Sequence, residues 1–244
     1  MNLTAVQALQ RGVAAHKEGH LHEAEQFYRT VLLSKSRYLE TPHDIDVIAE
    51  AYTNLGVSLQ QRGDRDAAID SFKQAVKIKP NYTEVYYVMG HAFRDKGDLR
   101  ASIDCCQQAV SNNPGNADAL INLGAALQHN GELEAAIESY QQALKISPEC
   151  AEAHNNLGST FLEKGYLGAA IDSYKEAIKI KPDYANAYNN LGHAFHDKGD
   201  LAASLDCYKS ALKIGPYSPQ THNNIGGALR DIGNYQEAIK HFDC

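Results

Sequence analysis

Hydrophobic positions along the chain recur with the spacing of amphipathic helices, and Gly and Pro interrupt them at regular intervals. In residues 151–184, positions 154–161 follow i, i+3, i+4, i+7 spacing, and positions 170–177 follow i, i+4, i+7 spacing. Gly165 separates the two runs and Pro182 follows the second, and both residue types end helices. The pattern predicts a helix, a tight turn, a second helix and a loop.

The same pattern repeats along most of the chain. Three sets of residues recur in steps of 34, which is a period typical of stacked helix pairs. They are a glycine within the first helix, a glycine in the turn and a proline in the loop: Gly56, Gly90, Gly124, Gly158, Gly192 and Gly226; Gly63, Gly97, Gly131, Gly165, Gly199 and Gly233; Pro80, Pro114, Pro148, Pro182 and Pro216.

Small residues recur where the two helices of a pair are expected to cross. We expect Gly158 to face Ala170, so that the helices approach closely while Leu157, Phe161 and Tyr174 fill the surrounding space. Leu in place of such a glycine would overpack the pair, at a cost of roughly 1–3 kcal/mol or more.

These residues resemble the tetratricopeptide repeat family over nearly the whole chain. The family's fourth position is aromatic or large here except for two His, and its usual Trp is absent. Its first position and its small twentieth position are occupied in register by Ala49, Thr83, Ala117, Ala151, Ala185 and Pro219, and by Ala68, Ser102, Ala136, Ala170, Ser204 and Ala238. The resemblance implies an all-α solenoid, a right-handed superhelix of antiparallel helix pairs that binds proteins or peptides.

The repeats define two segments. Residues 1–48 form a degenerate N-terminal capping repeat, with Gly12 and Tyr28 in register, followed by a long loop at about 35–44. Residues 49–244 form six tandem units, of which the last stops before its second helix is complete. This abrupt end predicts either a fragment of a longer protein or an end covered by a partner or a second copy.

A row of asparagines marks the predicted binding face. In this family the first helices line a concave surface that resembles a peptide-binding groove. The sixth repeat position holds Asn in five units, a neighbouring fifth-position row holds Asn in three, and two arginines lie on the same face: Asn54, Asn122, Asn156, Asn190 and Asn224; Asn155, Asn189 and Asn223; Arg94 and Arg230.

An amide side chain both donates and accepts hydrogen bonds, so such rows can pair with a peptide backbone of any sequence. The rows are similar to those lining the repeat arm of O-linked GlcNAc transferases, and residues 155–158 and 189–192 share its Asn-Asn-Leu-Gly. Two alternatives remain: the asparagines recur by internal duplication, or they bridge adjacent repeats.

Charge narrows the class of client. The formal net charge of −7 argues against nucleic-acid binding, which favours a basic footprint. The predicted face also carries many carboxylates, which favour a basic or neutral client unless they are only solvated surface charges. These are Glu50, Glu84, Asp95, Asp118, Glu152, Glu163, Asp197 and Asp231.

Other chemistry finds little support in the sequence. No apolar run is long enough for a signal peptide or a membrane span. The five cysteines form no Cys-x-x-Cys pair and are interpreted as reduced thiols of a cytoplasmic protein, with Cys105 and Cys106 packing in a helix. His193, His196 and Asp197 have helical spacing but complete no metal motif. His154 and His222 are interpreted as core residues.

Three functional hypotheses follow. The first is a cytoplasmic, non-catalytic protein-binding scaffold with no cofactor or metal and no nucleic-acid or membrane partner. The second is the substrate-docking arm of a larger enzyme such as a glycosyltransferase. The third is a module that associates with itself through its last repeat.

Overall fold

The computed structural model describes residues 3–33 and 41–242. These residues form fourteen α-helices and no β-strand, which confirms the all-α prediction. In chain order the helices are α1 (Ala5–Lys17), α2 (Leu21–Leu33), α3 (Pro42–Gln61), α4 (Arg65–Ile78), α5 (Thr83–Lys96), α6 (Leu99–Asn112), α7 (Ala117–His129), α8 (Leu133–Ile146), α9 (Ala151–Glu163), α10 (Leu167–Ile180), α11 (Ala185–Asp197), α12 (Leu201–Ile214), α13 (Pro219–Ile232) and α14 (Tyr235–Phe242).

The turn between α9 and α10 shows why glycine ends the first helix of a pair. Gly165 has φ of +78°, a conformation that costs glycine little and other residues more. Its N–H donates to the Leu162 carbonyl at 2.9 Å, and the next N–H, of Tyr166, donates to the Phe161 carbonyl at 2.8 Å. These bonds satisfy carbonyls that the helix end would otherwise leave unpaired. The predicted helix–turn–helix boundary is therefore confirmed.

The glycine within the first helix packs against an aromatic ring of the second helix. A Cβ atom added to Gly158 would lie 2.8 Å from Cε1 of Tyr174, which is closer than real Cβ atoms come. Tyr174 therefore fills space at the crossing, as predicted, because side chains lean toward the N-terminus of their helix and its long ring reaches back over the crossing. The same contact joins Gly12 to Tyr28, Gly56 to Phe72, Gly192 to Tyr208 and Gly226 to Phe242. That Gly158 also faces Ala170 stays a prediction; in the repeat of Gly90 the equivalent residue, Ser102, donates from its hydroxyl to the Gly90 carbonyl at 2.8 Å.

The chain divides into two compact units, residues 1–130 (unit 1) and residues 131–244 (unit 2). Unit 1 contains α1–α7 and a core in which Tyr28, Phe72 and Val85 are fully buried. Unit 2 contains α8–α14 and buries Tyr174 and Tyr208 in the same way. By the 34-residue sequence register α7 and α8 belong to the same repeat, so the boundary between the units falls inside a repeat. The predicted division near residue 48 stays a prediction.

The third helix begins earlier than the repeat register suggests. It starts at Pro42 rather than near Ala49. The Thr41 hydroxyl accepts from the Asp44 N–H at 3.2 Å, and an Asp44 carboxylate oxygen accepts from the Thr41 N–H at 3.1 Å. This reciprocal cap, with Pro at the first helical position, is a strong helix start. Positions 35–40 of the predicted loop lie outside the described residues.

Adjacent repeats are joined by ion pairs between the second helix of one repeat and the C-terminal end of the first helix of the next. Lys96 Nζ lies 2.5 Å from Asp66 in unit 1, and Lys164 Nζ lies 2.5 Å from Glu134 in unit 2. Both pairs join residues 30 apart, so they occupy the same two repeat positions. Because the carboxylates are largely exposed, we expect each pair to contribute little to the free energy of unfolding. The pairs would act mainly by fixing which residues of adjacent repeats lie beside each other.

Two glycine substitutions test the packing of the helix pair. We expect Gly158→Ala to lower the free energy of unfolding by about 1–3 kcal/mol, because the new methyl group meets the buried Tyr174 ring. Gly227→Ala is the matched control, since Gly227 is also inside a helix but has open space around its Cβ position. It should be neutral or stabilise by up to about 1 kcal/mol. Urea unfolding monitored by circular dichroism measures both, and equal effects would contradict the proposed contact.

Candidate protein-binding surface

The first helices of the repeats form one layer in each unit. In unit 1, α1, α3, α5 and α7 contact one another in sequence, and in unit 2 so do α9, α11 and α13. No comparable contact joins neighbouring second helices within either unit, as far as the structure is described. In each unit the first helices therefore form a continuous layer, on the side that the family resemblance predicts to be concave. All the predicted site residues lie on these first helices.

In unit 2, the asparagine rows form hydrogen bonds between adjacent repeats. Asn190 Nδ2 donates to Asn155 Oδ1 at 3.0 Å, and Asn224 Nδ2 donates to Asn189 Oδ1 at 3.1 Å. Each bond therefore joins the sixth position of one repeat to the fifth position of the repeat before it. The bridging alternative that the sequence left open accounts for these two contacts.

The hydrogen bond within each amide pair uses only some of the donors and acceptors of its two side chains. An Asn side chain has two N–H donors and a carbonyl acceptor, and each pair uses one donor and one acceptor. Asn190 and Asn224 are half-buried, with access to solvent. Asn155 is buried and also donates to Asn156 Oδ1 at 3.3 Å, whereas Asn223 in the last repeat is exposed. Asn155 is thus covered by its neighbours, whereas Asn190 and Asn224 of the sixth-position row keep access to solvent.

In unit 1 the predicted site residues have different partners. Asn122 Nδ2 donates to the Asp118 carbonyl of its own helix at 2.7 Å, and Asn54 is half-buried on α3. Between them the row is interrupted by Val88. Arg94, on the same helix as Val88, donates from Nη2 to Nδ1 of His91 at 2.6 Å.

Sequence analysis did not select His91, although it lies on the predicted face. Its ring packs edge-on against Tyr87, with the ring centroids 5.0 Å apart. Burial and the adjacent Arg94 guanidinium lower the pKa of His91, so the imidazole is neutral and accepts from the arginine. The signal in the sequence is the helical spacing of the three residues, four and three apart, where the asparagines are missing.

Arg230, the second predicted cation, belongs to a polar cluster on α11 and α13. Its Nε lies 3.1 Å from Asp231, whose carboxylate also contacts Nε2 of His196 at 2.9 Å. Both contacts lower the pKa of Asp231, with the Arg230 bond as the largest cause. His193 lies 3.7 Å from Asp197 in the same helix. Within residues 3–33 and 41–242, no group of three or more His, Cys, Asp or Glu side chains could hold a metal ion.

The carboxylates of the predicted face are exposed to solvent. None is more than partly covered, and several lie near the first turn or the last turn of a first helix. Glu50, Glu84, Asp95, Asp118, Glu152, Glu163, Asp197 and Asp231 all belong to this exposed set.

The thiols and the two repeat histidines lie in environments of different kinds. Burial raises the pKa of Cys105 to about 12 and that of Cys106 to about 11, so both thiols are protonated packing groups at neutral pH.

The prediction that His154 and His222 are core residues is wrong, because both are only half-buried. His154 Nε2 lies 3.0 Å from the Pro148 carbonyl, and His222 Nδ1 lies 3.0 Å from Nδ1 of His241. A polar partner at the rim of the pair keeps each ring out of the core.

Among the described helices, none has an apolar stretch long enough to span a membrane.

Comparison with known proteins identifies the repeats. Tetratricopeptide repeat models match residues 49–82, 83–116, 105–138 and 185–218, and a TPR repeat model matches 129–165 and 158–199. No curated protein matches the chain. The matches concern the repeat itself and do not distinguish an O-linked GlcNAc transferase arm from other members.

Solved structures give the same result. The crystal structure of MamA is 30% identical with a TM-score of 0.60, and the match covers 66% of this chain and 95% of MamA. A tetratricopeptide repeat protein from Parabacteroides merdae is 13% identical with a TM-score of 0.79, covering 98% and 91% of the two chains. PilF from Pseudomonas aeruginosa is 16% identical with a TM-score of 0.71, covering 81% and 90%. The last two show the fold alone. With its 34-residue period, its glycine-ended helix pairs and these matches, the chain belongs to the tetratricopeptide repeat family.

Proposed function

We propose that this protein is a non-catalytic scaffold that holds a protein or peptide client on the first-helix layer. The observation that carries the proposal is the pair of amide contacts between repeats in unit 2. These contacts hold Asn190 and Asn224 in place by one N–H each and leave the rest of each amide for another chain.

The spacing of the asparagines suits an extended peptide. Neighbouring first helices pack about 10 Å apart, and an extended chain advances about 3.3 Å per residue. One half-buried asparagine would therefore meet the client backbone about every third residue. Because an amide bonds to the peptide group rather than to a side chain, this surface would accept many sequences.

The amide pairs also lower the cost of binding. A free Asn side chain loses rotamer freedom when it binds, whereas one that already bonds to the preceding repeat has lost much of it on folding. Asn190 and Asn224 are in this position, each with a partner at about 3 Å. The fifth-position asparagines thus contribute to binding by orienting the sixth-position ones.

The exposed carboxylates of the layer favour a basic or neutral client. Like-charge contacts would disfavour an acidic peptide, and the effect would weaken as salt screens the exposed groups. Arg94 and Arg230 are the two arginines of the predicted site, and each already has a partner within the protein. A basic client would therefore meet mainly Glu and Asp, with the backbone held by the amides.

The same surface would serve as the substrate-docking arm of a larger enzyme. The Asn-Asn-Leu-Gly stretches at 155–158 and 189–192 favour this second candidate. Both candidates use the same residues to hold a polypeptide, and a catalytic domain in the same reading frame would decide for the second.

Removing the sixth-position amides of unit 2 tests the scaffold function. We expect the triple variant Asn156→Ala, Asn190→Ala, Asn224→Ala to lose most of the proteins that the wild-type chain captures from a lysate, as identified by mass spectrometry. It also loses two bonds between repeats, each contributing about 0.5–1.5 kcal/mol, so the melting temperature should fall modestly.

The matched control for the triple variant is Gln141→Ala with Gln142→Ala. These two amides are exposed on the second helix α8, away from the first-helix layer. This control should capture the wild-type set of proteins. A triple variant that melts much lower but still binds the same clients would show that the asparagines have only a structural role.

Charge removal tests the preference for a basic client. We expect Glu152→Gln to weaken binding of a Lys-rich client peptide several-fold at low salt, because an exposed carboxylate on α9 is lost. Asp172→Asn removes an exposed carboxylate from the second helix α10 and should leave the affinity unchanged. Calorimetric titration at low and high salt measures both. Equal affinities for the wild-type chain and Glu152→Gln at low salt would reject a role for the acidic face.

A further inference from the structure

Asn122 of unit 1 is a sixth-position amide with no asparagine to support it. In unit 2 such amides bond to the residue 35 positions earlier. The same spacing operates in unit 1, where Gln60 Nε2 donates to an Asp95 carboxylate oxygen at 3.0 Å. It places Asn122 opposite Tyr87, whose ring has no amide carbonyl to accept a bond. Support for Asn122 must therefore come from another side chain of α5.

His91 lies one helical turn beyond Tyr87 and stands beside that ring. The two rings pack edge-on, with their centroids 5.0 Å apart. Arg94 Nη2 donates to Nδ1 of His91 at 2.6 Å, so Nδ1 carries the lone pair and the proton of the neutral imidazole is on Nε2. Nε2 is buried and forms no hydrogen bond within the part of the chain that the structure describes. His91 thus holds a buried N–H donor without an acceptor, which is unfavourable.

The acceptor that this donor lacks is available on α7. Burial lowers the pKa of His91, and the side chains of Asp95 and Asn122 oppose this change. Asp95 already accepts from α3. Asn122 lies on α7, which contacts α5, and its Nδ2 donates to the Asp118 carbonyl at 2.7 Å. That bond uses one N–H of the amide and leaves Oδ1 to accept from Nε2–H of His91.

We propose that His91 is a positioning residue, which holds the Asn122 amide in the orientation that binds the client. The proposal rests on the scaffold function proposed above and gives unit 1 the support that fifth-position asparagines provide in unit 2. In the bound state Nε2–H of His91 donates to Asn122 Oδ1, while one Nδ2 N–H stays on the Asp118 carbonyl. The other Nδ2 N–H is then the donor left for the client, so this amide takes a carbonyl oxygen of the client backbone.

The unpaired donor links this support to binding. In the free protein Nε2–H of His91 has no acceptor. A client carbonyl that aligns the Asn122 amide brings Oδ1 onto that donor, so one binding event satisfies both groups. The bond between His91 and Asn122 therefore adds to the affinity for the client although His91 itself is not in contact with it.

NMR titration of the whole chain with an alternating Gly-Lys peptide tests this role, because such a peptide is basic and presents its backbone carbonyls along its length. In the free wild-type chain, the ¹⁵N signals of His91 should show a protonated Nε2 and a bare Nδ1. On addition of peptide, the Nε2–H proton should move downfield as it gains an acceptor, and Asn122→Ala should abolish that movement. We expect His91→Phe to weaken binding several-fold and His91→Gln, which keeps an N–H donor, to restore most of the affinity.

A double-variant cycle separates positioning from a general effect on the fold. In the Asn122→Ala background, His91→Phe should have no further effect on the affinity, because His91 acts through that amide. His193→Phe is the matched control, since His193 occupies the same repeat position on α11 and is exposed, and it should bind the peptide like the wild type. Circular dichroism should show unchanged helix content for every variant.

The possible outcomes distinguish this inference from the scaffold function on which it rests. Binding that His91→Phe leaves unchanged, or weakens equally in the Asn122→Ala background, would overturn the role of His91 and leave the scaffold function standing. A proton on Nδ1 in the free chain would also overturn it. A wild-type chain that binds no Gly-Lys peptide would contradict both.

Discussion

The contact between a glycine of the first helix and an aromatic ring of the second determines most of the architecture. The ring of Tyr174 occupies the space in which any Cβ atom at Gly158 would lie, and four other pairs repeat this geometry. Two helices held this closely bury small residues such as Ala153 and Ala170 completely, with no exposed surface on either. A helix pair with this crossing still has apolar residues on its outer side, so it needs a neighbouring pair.

Because the helix pairs stack in a constant register, contacts between adjacent repeats join residues a fixed number of positions apart. Between adjacent first helices, polar contacts join residues 35 apart rather than 34. Each residue therefore contacts the position that follows its own equivalent in the next repeat. The amide pairs in unit 2 obey this rule, and so do the contacts of Gln60 with Asp95 and of His196 with Asp231. Between the second helix of one repeat and the first helix of the next the corresponding spacing is 30, as in Lys96 with Asp66. Two fixed spacings at two kinds of helix contact leave little freedom for a slip of the register.

Much of this fold could be predicted from the sequence because glycine and proline mark every boundary. The helix pairs and the turn at Gly165 follow from local chemistry alone. Tyr174 was expected near Gly158, but the closeness of the contact could not be predicted, since it depends on how far a ring four residues beyond Ala170 reaches across the crossing. Thr41, Pro42 and Asp44 form a helix-start pattern in the sequence that predicts the early start of α3, whereas the 34-residue register places the start of the unit at Ala49.

The sequence predicts which polar residues lie on the first helices, but it does not predict which of them bond to one another. The rows of asparagine are visible in the sequence, but only the structure shows that Asn155 is buried and accepts from Asn190 while Asn223 is exposed. This difference bears on why asparagine, a weak helix former, is used at two adjacent positions of a first helix. Asn155 and Asn189 accept from the next repeat, which satisfies their carbonyl groups, in a buried site for Asn155, and sets the orientation of the Asn190 and Asn224 amides. An apolar residue there would stabilise the stack as well, but it would leave the neighbouring amide free to rotate. On the proposal that the sixth-position amides bind a client, this orientation gives the fifth-position asparagines a role beyond stability.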